Sequence, residues 1–148
     1  MFCGQFRHSI DNKGRLIIPA KFRDTLRESF IEKFWVTRGI ERCVCVYTPR
    51  EWNELISKLK ELPSFSSSKA RDFQRGLISN AAEVECDKQG RIMLPQNLLA
   101  LAGITRDVVV AGNLTRFEIW DEESWKKYQE ERASNFEEIA EQLNTMGI

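Results

Sequence analysis

The run Asp11-Asn12-Lys13-Gly14-Arg15-Leu16-Ile17-Ile18-Pro19 returns later in the chain as Asp87-Lys88-Gln89-Gly90-Arg91-Ile92-Met93-Leu94-Pro95. Asp, Gly, Arg and Pro keep their places, and three apolar residues separate Arg from Pro each time. The likeness continues in order. Trp35-Val36-Thr37 aligns with Val108-Val109-Val110, Gly39 with Gly112, Val46-Tyr47 with Ile119-Trp120 and Trp52 with Trp125. The second copy is three residues shorter between Pro95 and Gly112. The chain is a duplicated module, and a duplication on this scale leaves few folds open to it.

Each copy predicts the same series of elements. A short strand, Phe6 to Ile10 or Ala82 to Cys86, leads into Asp-x-x-Gly. Asp at the first place and Gly at the fourth suit a type I turn, with Gly taking the positive φ at which the chain re-enters a strand. Leu16-Ile17-Ile18 and Ile92-Met93-Leu94 show no alternation, as expected of a strand buried on both faces. Pro19 and Pro95 then stand where a helix starts and no N–H donor is needed. Two further strands follow, so the module reads β-turn-β-α-β-turn-β. One such module can hardly close a core alone. Two can, if their hairpins interleave into one small barrel.

The domain organisation follows: a first module over 5–50, a helical connector over 51–80, a second module over 81–124 and a C-terminal helix over 125–148. In the connector, Trp52, Leu55, Ile56, Leu59 and Leu62 keep a helical period until Pro63, and Ala70, Phe73 and Leu77 mark a second helix. Asp121 suits an N-cap, and the helix after it is expected to break near Ser134-Asn135.

Across 148 residues, 42% hydrophobic and 30% charged residues describe a globular chain. No apolar run approaches the ~20 residues of a membrane helix. MFCGQFRH lacks the apolar core of a secretory signal, so the expected compartment is the cytoplasm. Of the four cysteines, Cys43 and Cys45 lie in a strand-like run where cysteine acts as a small hydrophobe. There is no CxxC and His8 is the single histidine, so neither a metal nor a cofactor is expected.

The net charge of zero hides a division. Residues 1–80 hold 15 Lys+Arg against 9 Asp+Glu, and residues 81–148 hold 7 against 13. Such a split suits an anionic partner on one face, or a basic end meeting an acidic end between subunits. Turn and helix geometry account for Asp11, Gly14, Pro19 and their second-copy counterparts. They do not account for Arg15 and Arg91. Two readings stand: each Arg is a clasp to its own Asp four residues back, or it stands out from the hairpin to meet phosphates or guanine edges. Lys13, Lys21, Arg23 and Lys88 nearby favour the second.

Met1-Phe2-x-Gly4, Ile10-Asp11-x-Lys13-Gly14-Arg15, Pro19-Ala20-x-Phe22-Arg23, Asp87-x-x-Gly90-Arg91-x-x-x-Pro95 and Phe117-Glu118-Ile119-Trp120 closely resemble the MraZ family. The resemblance covers nearly the whole chain. It implies an α+β, β-rich fold in which two SpoVT-AbrB-like repeats interleave into a pseudo-two-fold, double-split barrel with peripheral helices. It further implies a sequence-specific, nucleoid-associated regulator, usually a repressor of its own operon in the division and cell-wall gene cluster. Its expected partners are double-stranded DNA carrying short direct repeats and further copies of itself in a ring, with no membrane. Asp11/Arg15 and Asp87/Arg91 match the family's DNA-binding signature, with Lys13, Lys21, Arg23 and Lys88 in support. Leu99 stands where Arg23's counterpart is often basic, so the first copy is expected to dominate phosphate contact. No catalytic constellation is present, so an enzyme is not expected. The alternative is an antitoxin-like protein-interaction module, with the acidic residues 121–148 as its tail.

Overall fold

In both copies the aspartate that opens the repeated run reverses the chain. A computed structural model describes residues 1–147. In it the Gly14 N–H donates to the Asp11 carbonyl at 3.0 Å, and Gly90 donates to Asp87 at the same distance. Both glycines carry positive φ, 81° and 78°. These turns connect β1 (Gln5–Ser9) to β2 (Arg15–Ile17), which leads into α1 (Ala20–Glu28), β3 (Lys33–Arg38) and β4 (Val44–Tyr47). The connector forms α2 (Pro49–Lys60) and α3 (Ser68–Ile78). The second copy supplies β5 (Ala82–Glu85), β6 (Arg91–Met93), α4 (Gln96–Leu101), β7 (Asp107–Asn113) and β8 (Arg116–Asp121).

The copies are interleaved. β1 pairs with β7, β5 with β3, and β4 with β8, all antiparallel, giving a six-stranded sheet in the order β1-β7-β8-β4-β3-β5. Exchanging the copies reads this order backwards. Among the described residues β2 and β6 pair only with each other, in a separate ribbon. No closed barrel is found among the described residues; the molecule is α+β with a mostly antiparallel six-stranded sheet and a two-stranded ribbon. Leu16, Ile18, Ile92 and Leu94 from the ribbon join Phe34, Val36, Val44, Phe117 and Ile119 from the sheet, and Phe22 and Leu98 from the helices, in one core. Each fully buried side chain of this size contributes about 1.5–3 kcal/mol relative to exposure.

Two sequence expectations change. The ribbon strands are not buried on both faces: Leu16 and Ile92 are inside, while Ile17 and Met93 are 44% and 56% exposed. A two-stranded ribbon over a core has one outward face, and an uninterrupted apolar run conceals the period of two. The alignment of the third strands also shifts by one residue. Val108 pairs with His8 and Phe34 with Val84, so Phe34 and Val36 take the places of Val108 and Val110. All four are core residues. Trp35 points to the opposite face, where it stacks on Trp52 with ring centroids 5.1 Å apart. A one-residue slip in a strand exchanges its faces, which is why the shift matters. Gly112 is thereby no counterpart of Gly39. It lies where the N-terminal segment crosses β7, and a Cβ there would come within 2.5 Å of the Cys3 nitrogen.

Helices cover the outer face of the sheet. Thr37, fully buried, donates its hydroxyl to the Leu77 carbonyl and ties α3 to β3. Asp121 accepts from the Ser124 N–H at 3.1 Å and caps α5 (Glu122–Glu131), whose Trp125 and Tyr128 pack on Trp120. A 3-10 turn at Ala133–Asn135 separates α5 from α6 (Phe136–Gln142), and a second turn follows at Asn144–Met146. Ile148, the last residue of the expected C-terminal helix span, lies outside the described residues. No helix among the described residues is long and apolar enough to cross a membrane.

The turn geometry yields a stability prediction. A Cβ on Gly14 would sit 3.0 Å from the Leu94 carbonyl oxygen at a φ that L side chains avoid, whereas one on Gly76, inside α3, would meet nothing within 4 Å. In urea unfolding, Gly14→Ala is expected to lose about 1–2 kcal/mol. Gly76→Ala is expected to gain about 0.5–1 kcal/mol.

Candidate nucleic-acid interface

Each hairpin holds its arginine by a complete set of local bonds. Oδ1 of Asp11 accepts the Lys13 and Arg15 N–H groups, both at 2.9 Å, while Oδ2 accepts from Nε of Arg15 at 2.6 Å. Asp87 does the same for Gln89 and Arg91, with Nε of Arg91 at 2.9 Å from Oδ2. Nη2 of Arg91 also donates to Oε1 of Gln89 at 2.7 Å. These bonds stabilise the ionised carboxylates. Both Asp11 and Asp87 titrate below their ordinary value, chiefly because of the backbone N–H of the arginine and then its side chain. The clasp reading of the Asp-Arg pairs is thus present as geometry. Both arginine side chains nonetheless remain on the outer face of the ribbon, 30% exposed for Arg15 and 26% for Arg91. The Asp fixes the fork by its Nε edge. For Arg15 the outer nitrogens have no hydrogen-bond partner among the described residues.

The ribbon register defines the rest of this face. Arg15 lies opposite Met93 and Ile17 opposite Arg91. The outward surface is therefore two arginines on one diagonal and two exposed apolar side chains on the other. Ile17 and Met93 escaped the sequence reading because both stand within runs that look like core. The period of two through Arg15 and Arg91 was the signal that points to them.

The remaining candidates surround this face unequally. Lys13, Lys21 and Lys88 are exposed. Arg23 is half-buried and leaves α1 of the first copy to lie over the turn of the second, where a Cβ on Gly90 would come within 2.6 Å of its Cδ. Leu99 makes the corresponding approach to Gly14. A groove of about 440 Å³ beside the second hairpin is lined by Arg23, Arg27, Asp87 and Lys88 among others. Its counterpart beside the first hairpin, about 680 Å³, is lined by Asp11, Asn12, Leu99 and Arg106 among others. The charge division along the chain therefore does not divide the hairpins: Arg23 of the first copy serves the second. Nε of Arg23 is buried without a hydrogen-bond partner among the described residues. Burial, and then the charge of Arg23, pushes the His8 imidazole below its ordinary value.

The cysteines lie elsewhere. Cys43 and Cys45 are buried on the outer face of the sheet, and their sulfurs and a Glu118 oxygen lie within 4.8 Å of one another. The Glu118 carboxylate already accepts from Nη2 of Arg116 and from Nε1 of Trp120, each at 3.2 Å. A cation there would have to compete with both donors.

The chain thus belongs to a class of duplicated-module proteins that display paired, aspartate-held arginines on an intercopy ribbon. A family model described as "MraZ protein, putative antitoxin-like" matches it twice, over residues 1–76 and 77–146. A protein named Transcriptional regulator MraZ from Natranaerobius thermophilus is 48% identical over 143 residues, covering 97% of this chain and 96% of its own. Its namesake from Acetivibrio thermocellus is 45% identical over the full length of both chains, and that from Desulforamulus reducens is 48% identical over 97% of each. The chain belongs to the MraZ family. These relatives bear the names of regulators, not of enzymes.

The depressed aspartates set a pH dependence. A carboxylate held below its ordinary value adds stability above that value and loses it as pH falls through the native one. The contribution of Asp11 and Asp87 is therefore complete above the ordinary 3.8 and disappears at lower pH. An Asp11→Asn/Asp87→Asn double variant is expected to melt below wild type at neutral pH. The gap should narrow as pH is lowered beneath 3.8, followed by circular dichroism.

Proposed function

We propose that the chain is a sequence-specific DNA-binding regulator of transcription, reading the major groove with the outer face of the β2·β6 ribbon. The observation that carries this is the pair Arg15 and Arg91, each gripped by its own aspartate at one guanidinium edge and turned outward. A two-stranded ribbon fits a major groove, and a pre-oriented planar fork suits guanine O6 and N7. The aspartate lowers the ordering cost of the arginine before DNA arrives. Lys13, Lys21, Lys88 and the partly free Arg23 supply contacts to phosphate. Ile17 and Met93, between the arginines, offer apolar surface to thymine methyl groups.

On this reading the sheet and ribbon correspond to the two sides of an AbrB-like double-split barrel, with the modules at 5–50 and 81–124. One copy of the chain presents one ribbon, a small footprint. Several copies in a ring would place ribbons on successive direct repeats, and affinity would come from multivalency. The regulated site is the promoter of the chain's own operon, in the division and cell-wall cluster, and the protein works in the cytoplasm on the nucleoid. The relatives' printed name supports regulation of transcription. The words "antitoxin-like" in the family description keep a protein-binding role as the second reading.

Binding to the upstream region of its own gene, measured by fluorescence anisotropy over a salt series, tests this. Arg15→Ala and Arg91→Ala are each expected to cost ~1–3 kcal/mol and to relax base preference. Lys21→Ala should weaken all DNA alike and reduce the salt slope by ~1. Unchanged operator affinity in both arginine variants, with lowered melting temperatures, would leave the clasp as their whole role. A separate measurement addresses the apolar pair. Replacing operator thymines by deoxyuridine should cost about 0.8 kcal/mol per contacted methyl for wild type, and nothing further for Ile17→Ser/Met93→Ser.

A further inference from the structure

The two hairpins differ in the residue before the turn glycine. Lys13 precedes Gly14 in the first copy, and Gln89 precedes Gly90 in the second. Each gives its backbone N–H to Oδ1 of the turn aspartate at 2.9 Å, so the turn is the same in both copies and uses neither side chain. Those side chains treat the neighbouring arginine in opposite ways. A lysine ammonium only donates and repels a guanidinium, and Arg15 is held at Nε alone among the described residues. Oε1 of Gln89 accepts from Nη2 of Arg91 at 2.7 Å, while Asp87 holds Nε. Arg91 is thus fixed at two of its nitrogens and Arg15 at one.

The same bond orients the glutamine. Its amide has an accepting end and a donating end, and only the accepting end can face a guanidinium. Nε2 is left with its N–H groups unengaged among the described residues, on an exposed side chain at the tip of the hairpin. An unheld glutamine reads adenine by accepting from N6 and donating to N7. Gln89 is restricted to donating, because a base amino group that approached its oxygen would meet the charge of Arg91. Arg91 and Gln89 together form a row of donors, which matches base edges that accept: N7 and O6 of guanine and O4 of thymine. We infer that Gln89 is a specificity-determining residue of the second hairpin, donating to an accepting base edge beside the guanine met by Arg91, whereas the first hairpin, with Lys13 on phosphate, reads its guanine alone. The inference rests on the ribbon reading above and specifies what each half of the ribbon distinguishes. The two halves of the operator then differ, although the strand order is the same read from either copy.

The test titrates the full chain, by fluorescence anisotropy, with duplexes from the upstream region of its own gene in which each base pair is replaced in turn. Arg15→Ala and Arg91→Ala locate the two guanines. Gln89→Ala is expected to reduce preference about fivefold at one position beside the Arg91 guanine, the loss of one net hydrogen bond, with no matching loss beside the Arg15 guanine. Its melting temperature should match wild type, because the turn takes only the backbone of Gln89. Gln89→Glu keeps an acceptor for Arg91 and replaces the free donors by an acceptor. Preference at the same position should then pass from guanine or thymine to adenine or cytosine, whose amino groups donate. Lys13→Gln should create a corresponding preference beside the Arg15 guanine and reduce the salt slope by about 1. If the arginine variants locate both guanines but neither Gln89 variant changes a neighbouring preference, this inference is overturned and the ribbon reading stands. Arginine variants that leave every base preference in place overturn the ribbon reading itself.

Discussion

Leu16 and Ile92 face each other across the β2·β6 ribbon, and neither exposes more than 1% of its surface. Among the described residues these strands pair with no other strand, so neither copy can finish its ribbon alone. The ladder continues into the turns, where the Ile18 N–H donates to Gly90 at 2.9 Å and the Leu94 N–H to Gly14 at 2.8 Å. Each turn of one copy is thus bonded to the strand leaving the ribbon in the other. The core beneath, the spacing of the two hairpins and the outward aim of both arginines depend on this one intercopy pairing.

The same aspartate builds the turn with one carboxylate oxygen and holds the arginine with the other. Structure and proposed recognition therefore share a residue, and losing the aspartate would loosen both. The copies are not equivalent in what they offer a partner. Arg23 crosses to the second hairpin, while Leu99 brings an apolar side chain to the first, so the hairpins differ through helices that belong to the opposite copy. A tally of charge by sequence position misses this, because interleaving carries the side chains of each half into the other.

The outer face of the sheet serves another purpose. Alternate residues of β3, β4 and β8 turn away from the core and meet α2, α3 and α5 through the Trp35–Trp52 stack and the Trp120, Trp125 and Tyr128 group. These helices separate the ribbon face from the rest of the surface. They leave the ribbon, with its proposed DNA contacts, on the face of the sheet that these helices do not cover.

The duplication, the Asp-x-x-Gly turns, the helix starts at Pro19 and Pro95 and the cap at Asp121 were all legible in the sequence. Each is decided by residues within a few positions of one another, and local backbone chemistry leaves them little choice. The arginines could be singled out because nothing local required them. What the sequence could not decide was the facing of Ile17 and Met93, the register that places Phe34 opposite Val84, and the crossing of Arg23 onto Gly90. An apolar strand residue looks alike whichever side it takes, and a register is chosen only when a distant strand arrives. Short-range bonding wrote the elements into the sequence, but the pairing of one copy with the other, which long-range burial alone selects, determined which side chains meet the outside.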